Sequence, residues 1–379
     1  MNHRPIRLVA AAALLAASTA TAQVDYSQVA VSEVLTLAEI QSAVGAANSA
    51  ALDGLSLAPA GHVGVIHLDA LNQPTLAVIN VASKSAIFTE TAASAAADLG
   101  APYSTNFTLV GEFVWSPTAG ASGSFIWSDN STAAPTEYSL LRTDIATGAT
   151  TQLLRSTAIA GWNSHGVLPS GQIVGTLGEA HLDLTGEEPV VGLVDPASPA
   201  FVPVYDEDEF KAAVVPALTT EEVPPETIGI DPVTGATYVF GHDTFHLFRI
   251  DDIEADAALA PASRPGPTWL DIPGWTGVVD LHGMAVDEDG TVYGFDEAAE
   301  AIVIWNPATN DTFAYTLDDI GTSLGGLPVA PVLWRGMKAR KVNASQSEVL
   351  LADSSGDHGV VRLLLGEAPS SVQDWAIID

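Results

Sequence analysis

The sequence predicts an all-β fold, a six-bladed β-propeller of four-stranded antiparallel blades. Two observations carry this. A strand–turn–strand unit recurs along the chain, and turns headed by Asp or Asn follow it at nearly even intervals. Short strands repeated in this way, with Gly-rich turns, are the mark of radial β repeats.

The unit is plainest in blade five. It opens with Gly283-Met284-Ala285-Val286, turns at Asp287-Glu288-Asp289-Gly290 and returns as Thr291-Val292-Tyr293-Gly294-Phe295-Asp296. Blade four gives Ile228-Gly229-Ile230, a turn from Asp231 to Gly235, then Tyr238-Val239-Phe240. Blade three gives Gly166-Val167-Leu168, Pro169-Ser170-Gly171 and Ile173-Val174-Gly175, and blade one gives Gly54-Leu55-Ser56-Leu57 and Val63-Gly64-Val65. Blades two (Phe113 to Trp127) and six (Gly336 to Leu351) follow more loosely. The later turns start at Asn80, Asp144, Asp195, Asp251 and Asn306, spaced 64, 51, 56 and 55 residues apart. Asx side chains bond backbone two residues on, which suits them to start such turns. Inner strands are expected near residues 54, 113, 166, 228, 283 and 336. The helix-like stretches are Leu37 to Ala51 and Thr91 to Leu99.

Three segments follow. Residues 1–22 read as an export signal: Arg4 and Arg7, an apolar run from Leu8 to Ala17, and Ala20-Thr21-Ala22 before Gln23. That run is about half of what a spanning helix needs, so the mature chain is expected to be secreted, to periplasm or medium. Residues 23–52 contain alternating Tyr26, Val29, Val31, Val34 and Leu35, expected to complete the last blade beside Val360-Val361-Arg362-Leu363-Leu364. A ring closed that way leaves no free sheet edge. Residues 53–379 form the propeller.

The chain has no Cys, which excludes disulfides, a thiol nucleophile and thiolate metal sites. Its 46 Asp and Glu face 13 Lys and Arg, a net charge of −33, and Lys occurs only at 84, 211, 338 and 341. Nucleic acid and anionic membrane are poor partners for such a surface. It suits high salt, where screening relieves self-repulsion, so a halophilic source is expected.

Gly283-Met284-Ala285-Val286-Asp287 with Gly290, Val292-Tyr293 and Asp296 resembles an NHL-type repeat. It is also similar to blades of the senescence-marker/gluconolactonase and paraoxonase-like propellers. The resemblance implies architecture. The lactonase-like members hold a metal in the channel with carboxylates and amides.

The residue before each inner strand should reach one rim of the central channel. Those positions are Asp53, Glu112, His165, Glu226, His282 and Arg335. If a metal is bound, Glu112, His165, Glu226 and His282 are the candidate ligands. Oxygen donors suit Ca²⁺, and His with carboxylate suits Zn²⁺ or Mn²⁺. Arg335 stays cationic and is expected to pair with Asp53 across the ring closure. The alternative use of this ring is hydrogen bonding between blades. Trp162, Trp275 and Trp334 precede inner strands and either line the mouth or pack between blades. A second ring at the ends of the second strands, Asp69, Asp129, Glu179, Asp243, Asp296 and Asp353, reads first as turn formers. His242 and His246 flank a hairpin at Asp243-Thr244, and Asp206-Glu207-Asp208-Glu209 reads as a solvated loop. There is no Ser nucleophile elbow, phosphate loop, HExxH or EF-hand loop.

Three functions stay open. The first is a secreted propeller binding a small ligand, metal or protein partner at the channel mouth. The second is a metal-assisted hydrolase of the lactonase or esterase kind, with His165 or His282 as general base. The third is a scaffold without a small-molecule site.

Overall fold

A computed structural model describes residues 23–45, 51–58, 61–69, 71–103, 107, 109–116, 123–130, 137–214, 223–242 and 245–366, with the side chains of 109–112 set aside. The expected export signal, the side chain of Glu112 and the Asp243-Thr244 turn lie outside the described residues.

Six four-stranded antiparallel sheets are present. Their inner strands are Leu52–Leu57, Leu109–Ser116, Trp162–Val167, Pro225–Ile230, Leu281–Val286 and Met337–Asn343. In blades one to five the four strands follow one another in the chain. In blade six the outermost strand is Val29–Leu35, which pairs antiparallel with Val360–Gly366. Val31 stands opposite Leu363 and Val29 opposite Leu365. The N-terminal strand thus lies where an edge would otherwise be exposed.

Six hydrophobic clusters hold the ring, one at each blade-to-blade interface. The cluster between blades two and three contains Trp162, which lies over the face of Gly175. A Cβ at Gly175 would sit 2.2 Å from the Trp162 ring, so only glycine lets the indole lie flat there. Between blades five and six, buried Asp287 accepts hydrogen bonds from Tyr293 Oη at 2.8 Å and Ser347 Oγ at 2.9 Å. The same carboxylate caps its own turn through the N–H groups of Asp289 and Thr291. One Asp therefore serves both the turn and the blade contact, which satisfies an otherwise costly buried charge.

Helices Leu37–Val44 and Ala92–Leu99 lie within the two expected stretches. Four further α-helices appear among the described connections, among them Glu207–Ala213. The acid run at 206–209 is thus a helix start and not a loop. Asp206 caps it and Glu209 returns a bond to the Asp206 N–H, a capping box readable as Asp-x-x-Glu.

The inner strands begin at or before the expected residues in five blades, for one reason. The pairing of each of these strands with its neighbour shifts register near its start: between Leu52 and Gly54, Val110 and Phe113, Trp162 and Ser164, Pro225 and Thr227, and Leu281 and Met284. A bulge leaves its extra residue unpaired and re-aims it. The bulged positions are Asp53, the Gly111-Glu112 pair, Asn163, Glu226 and the His282-Gly283 pair.

Candidate metal centre at the channel mouth

The repeated bulge decides which predicted residues share the mouth. In blade three the bulged residue is Asn163, and His165 stands two residues further along the paired strand. His165 is buried between blades two and three. Its Nδ1 accepts the Trp162 indole N–H at 3.1 Å, so its Nε2 carries the proton and faces Ile126 O at 3.3 Å. Burial pushes its pKa down to about 3, with nearby Lys338 pushing the same way and the bond to Ile126 opposing. Both ring nitrogens are in use between the blades, and neither is presented to the channel mouth as a free donor. Trp162 and Trp275 are likewise buried in blade contacts and do not line the mouth. They fill space between sheets, as large rings usually do.

Glu226 and Asn163 share the space above Gly178. A Cβ on that glycine would lie 3.2 Å from Glu226 Oε1 and 3.3 Å from Asn163 Nδ2. Glu226 therefore lies against the end of the second strand of blade three. Arg335 pairs with Asp53 as expected, Nη2 to Oδ1 at 2.7 Å, and its Nε donates to Asp53 O at 2.5 Å. The Leu55 N–H donates to Arg335 O at 2.8 Å, so Arg335 joins blade six to blade one. Among the described residues the expected set of Glu112, His165, Glu226 and His282 forms no donor cluster: His165 is sealed between blades, Glu226 lies by Gly178, and the Glu112 side chain lies outside the described residues.

His282 does find partners. The Nε2 atoms of His242 and His282 are 3.2 Å apart, and Asp280 Oδ1 lies 3.3 Å from the first and 3.2 Å from the second. Glu297 Oε2 stands 3.0 Å from His282 Nε2. The local fold explains the meeting. Asp280 and His282 flank Leu281 at the start of the blade-five inner strand, and alternate residues of an extended segment share a side. His242 follows the second strand of blade four, Thr237–Gly241, and Glu297 follows the second strand of blade five, Val292–Asp296. Asp296, a turn former in the second ring, accepts the Asp280 N–H at 3.1 Å and also bonds Ala298 and Ala299. It fixes the backbone under one carboxylate of the cluster. His246, the other hairpin histidine, is buried with its ring near Trp269 and takes no part.

Trp334 roofs the cluster. Its ring centroid is 4.6 Å from that of His282 and 6.4 Å from that of His242. Its N–H donates to His282 O at 2.5 Å. Trp334 has φ of 67°, and the Arg335 N–H reaches back to Leu333 O at 2.8 Å, closing a three-residue turn. A bulky residue in that region is strained and is held there by its surroundings.

The donor geometry suits a metal. The three donor atoms form a nearly equilateral triangle, and edges of this length let one ion sit about 2.0–2.1 Å from every corner. Asp280 Oδ1 is buried without a hydrogen-bond partner, although two imidazoles lie beside it. Two imidazole nitrogens and a carboxylate oxygen match Zn²⁺ or Mn²⁺. Calcium, which takes six to eight oxygens, does not fit this set. The side chains of His242 and Asp280 are partly exposed and that of Glu297 is 49 % exposed, so one side is open to solvent.

No protein-family model matches the chain, and no curated protein matches it significantly. Solved structures do. A gluconolactonase from Xanthomonas campestris is 12 % identical with a TM-score of 0.50, covering 90 % of this chain and 91 % of its own. Regucalcin from Agrobacterium tumefaciens, a calcium-binding protein, is 14 % identical with a TM-score of 0.49, over 85 % and 93 % of the two chains. A catalytically inactive virginiamycin B lyase from Staphylococcus aureus with quinupristin is 11 % identical with a TM-score of 0.48, over 89 % and 99 %. No helix among the described residues is long and apolar enough to cross a membrane. Six four-stranded sheets in sequence order make this chain a six-bladed β-propeller, and its likeness to the gluconolactonase is one of fold.

Proposed function

We propose that this chain is an exported propeller that binds a divalent transition-metal ion on His242, Asp280 and His282 and cleaves an ester or lactone at the channel mouth. The observation that carries the reading is the triangle of donor atoms with edges of 3.2, 3.3 and 3.2 Å. Bound at such a site, Zn²⁺ or Mn²⁺ supplies Lewis acidity toward a carbonyl oxygen and acidifies a bound water.

The chain's own residues divide the remaining work. His242 and His282 present Nε2 and Asp280 presents Oδ1 as donors. Asp296 holds the Asp280 backbone in place. Trp334 covers the imidazoles and keeps water off one side of them. Glu297 Oε2, on the exposed side and 3.0 Å from His282 Nε2, takes the proton of the attacking group. That role passes to Glu297 because the His282 Nε2 is committed to the cluster.

The test is elemental analysis of the purified protein after equilibration with Zn²⁺ or Mn²⁺ and dialysis, followed by an ester and lactone screen with and without chelator. One ion per chain and chelator-sensitive turnover are expected. Running the reaction in ¹⁸O-labelled water separates hydrolysis, which labels the product carboxylate, from elimination, which leaves an unlabelled unsaturated product. A wild-type protein that retains no metal sinks the reading.

A further inference from the structure

A cleft of about 650 Å³ lies beside the metal site, between the outer part of blade five and the 324–333 connection to blade six. It shares Glu297 with the site and ends at Leu333, next to Trp334. Glu297 thus borders both, which places the cleft beside a molecule held at the cluster.

The lining has a definite chemistry. Leu317, Leu327, Val329 and Leu333 give an apolar wall. Leu327 and Leu333 are 48 % and 37 % exposed, so this wall is open to a ligand. Across the site Val278 is 64 % exposed, beside Gly277, whose N–H bonds Phe245 O. The Phe245 ring stands edge-on to His242 at 6.4 Å. Apolar surface thus flanks the donors on both sides. The ionisable residues of the cleft are Glu297, Glu300 and Asp318, with no Lys or Arg among them. Such a lining repels anions and draws cations. The volume falls within the range of pockets that hold drug-sized ligands.

The wall is preformed. The Gly326 N–H bonds Gly321 O at 2.9 Å, and a Cβ at Gly321 would meet Leu327 O at 2.5 Å. On the other side the Ala330 N–H donates to buried Asp353 at 2.8 Å and the Ser354 N–H donates to Ala330 O at 2.7 Å. The connection is tied at both ends.

We infer that this cleft is the substrate-selecting groove, and that the substrate has a large apolar body bearing a positive charge. The inference rests on the metal-site reading for its chemistry, but its test reads binding in the presence and absence of metal. Calorimetry would compare a naphthylalkyl trimethylammonium ion with naphthylacetate, on zinc-loaded and chelator-treated protein. The cation should bind at least about tenfold more tightly on the chelator-treated form, where no ion offers the carboxylate a partner. The double variant Glu300→Gln, Asp318→Asn should reduce that ratio several-fold, and Leu327→Ser should weaken binding of the cation about fivefold. Zinc content and circular dichroism of the variants should match wild type, which excludes misfolding. Equal binding of the two probes to the chelator-treated form, or variants that leave the ratio and the affinity unchanged while folding normally, overturns the inference. Selective cation binding by a protein that holds no zinc leaves the groove standing and removes the metal reading.

Discussion

His165 and His282 occupy similar places in the sequence of blades three and five, yet the structure uses them in opposite ways. His165 is sealed between sheets, bonded to Trp162 on one nitrogen and facing the Ile126 carbonyl with the other. His282 is partly exposed, with its Nε2 within 3.2 Å of His242 and Asp280 and 3.0 Å of Glu297. The difference is two residues of register. In blade five the bulge falls at His282, and in blade three it falls at Asn163. Residue type alone does not place a side chain at the cluster; for His282 the unpaired position of the bulge re-aims it there.

The most direct way to break the comparison is to remove each imidazole. His282→Ala or His242→Ala should lower zinc affinity by more than about 100-fold, since each removes a donor outright and outer-shell losses alone cost 10- to 100-fold. His165→Ala should leave zinc content unchanged and cost roughly 2–4 kcal/mol of stability, through a cavity and an unpaired Trp162 indole. Elemental analysis and denaturant unfolding read the two effects separately. Loss of zinc from the His165 variant would merge the two histidines again.

The second contrast is in pH. Because His165 is held neutral with a pKa of about 3, the unfolded chain takes a proton near pH 6.5 that the folded chain refuses. Its contribution is fully present above about pH 6.5 and is lost as pH falls toward 3. The limit is on the order of several kcal/mol. Carboxylates titrate in the lower part of the same window, so the measurement is a difference: the slope of stability against pH from 6.5 to 4 should be shallower in His165→Phe than in wild type. Equal slopes would mean that His165 takes up its proton in the folded state.

A smaller effect sharpens the metal side alone. Asp296 touches no donor atom of the cluster; it accepts the N–H of Asp280. Asp296→Asn should weaken zinc binding about tenfold, within the range of outer-shell partners. Asp296→Ala should weaken it further, because the turn bonds to Ala298 and Ala299 also go. Unchanged zinc affinity in both variants would leave Asp296 a turn former only.

Much of the ring was legible because its signals are local. Gly-rich turns, period-two strands and the alternating N-terminal segment each depend on residues close together in the chain. The Arg335–Asp53 pair was legible from ring order, since residues at the two ends of a closed ring are neighbours. The site was legible only through His282. A bulge inverts the in–out alternation of a strand without changing its composition, so Trp162-Asn163-Ser164-His165 reads equally well in either register. His242 was visible as a hairpin flank, but its partner is His282 of the next blade and not His246. The overlooked signal is Asp280-Leu281-His282, two donor residues at the alternate spacing that puts them on one side of an extended segment.

The last contrast is between the mouth and the rest of the surface under salt. With 46 acidic side chains against 13 basic ones, the carboxylates repel one another across the body of the propeller, and at the mouth the same charges draw in a cation. Salt screens both interactions, since the screening length falls from about 10 Å at 0.1 M to about 3 Å at 1 M. The two consequences have opposite sign. Relief of repulsion should raise the thermal midpoint of the metal-free protein by a few degrees between 0.05 and 1 M NaCl, where a stability change of about 1 kcal/mol moves it by roughly 2–4 °C. Loss of the attracting field should weaken zinc binding only about two- to fivefold over the same range, because the donors at about 2 Å are too close to the ion to be screened. Thermal scans and competition with a zinc indicator measure the pair. A midpoint that stays flat or falls with salt would remove the halophilic reading of the surface. A zinc affinity that does not fall would show that only the nearest donors hold the ion.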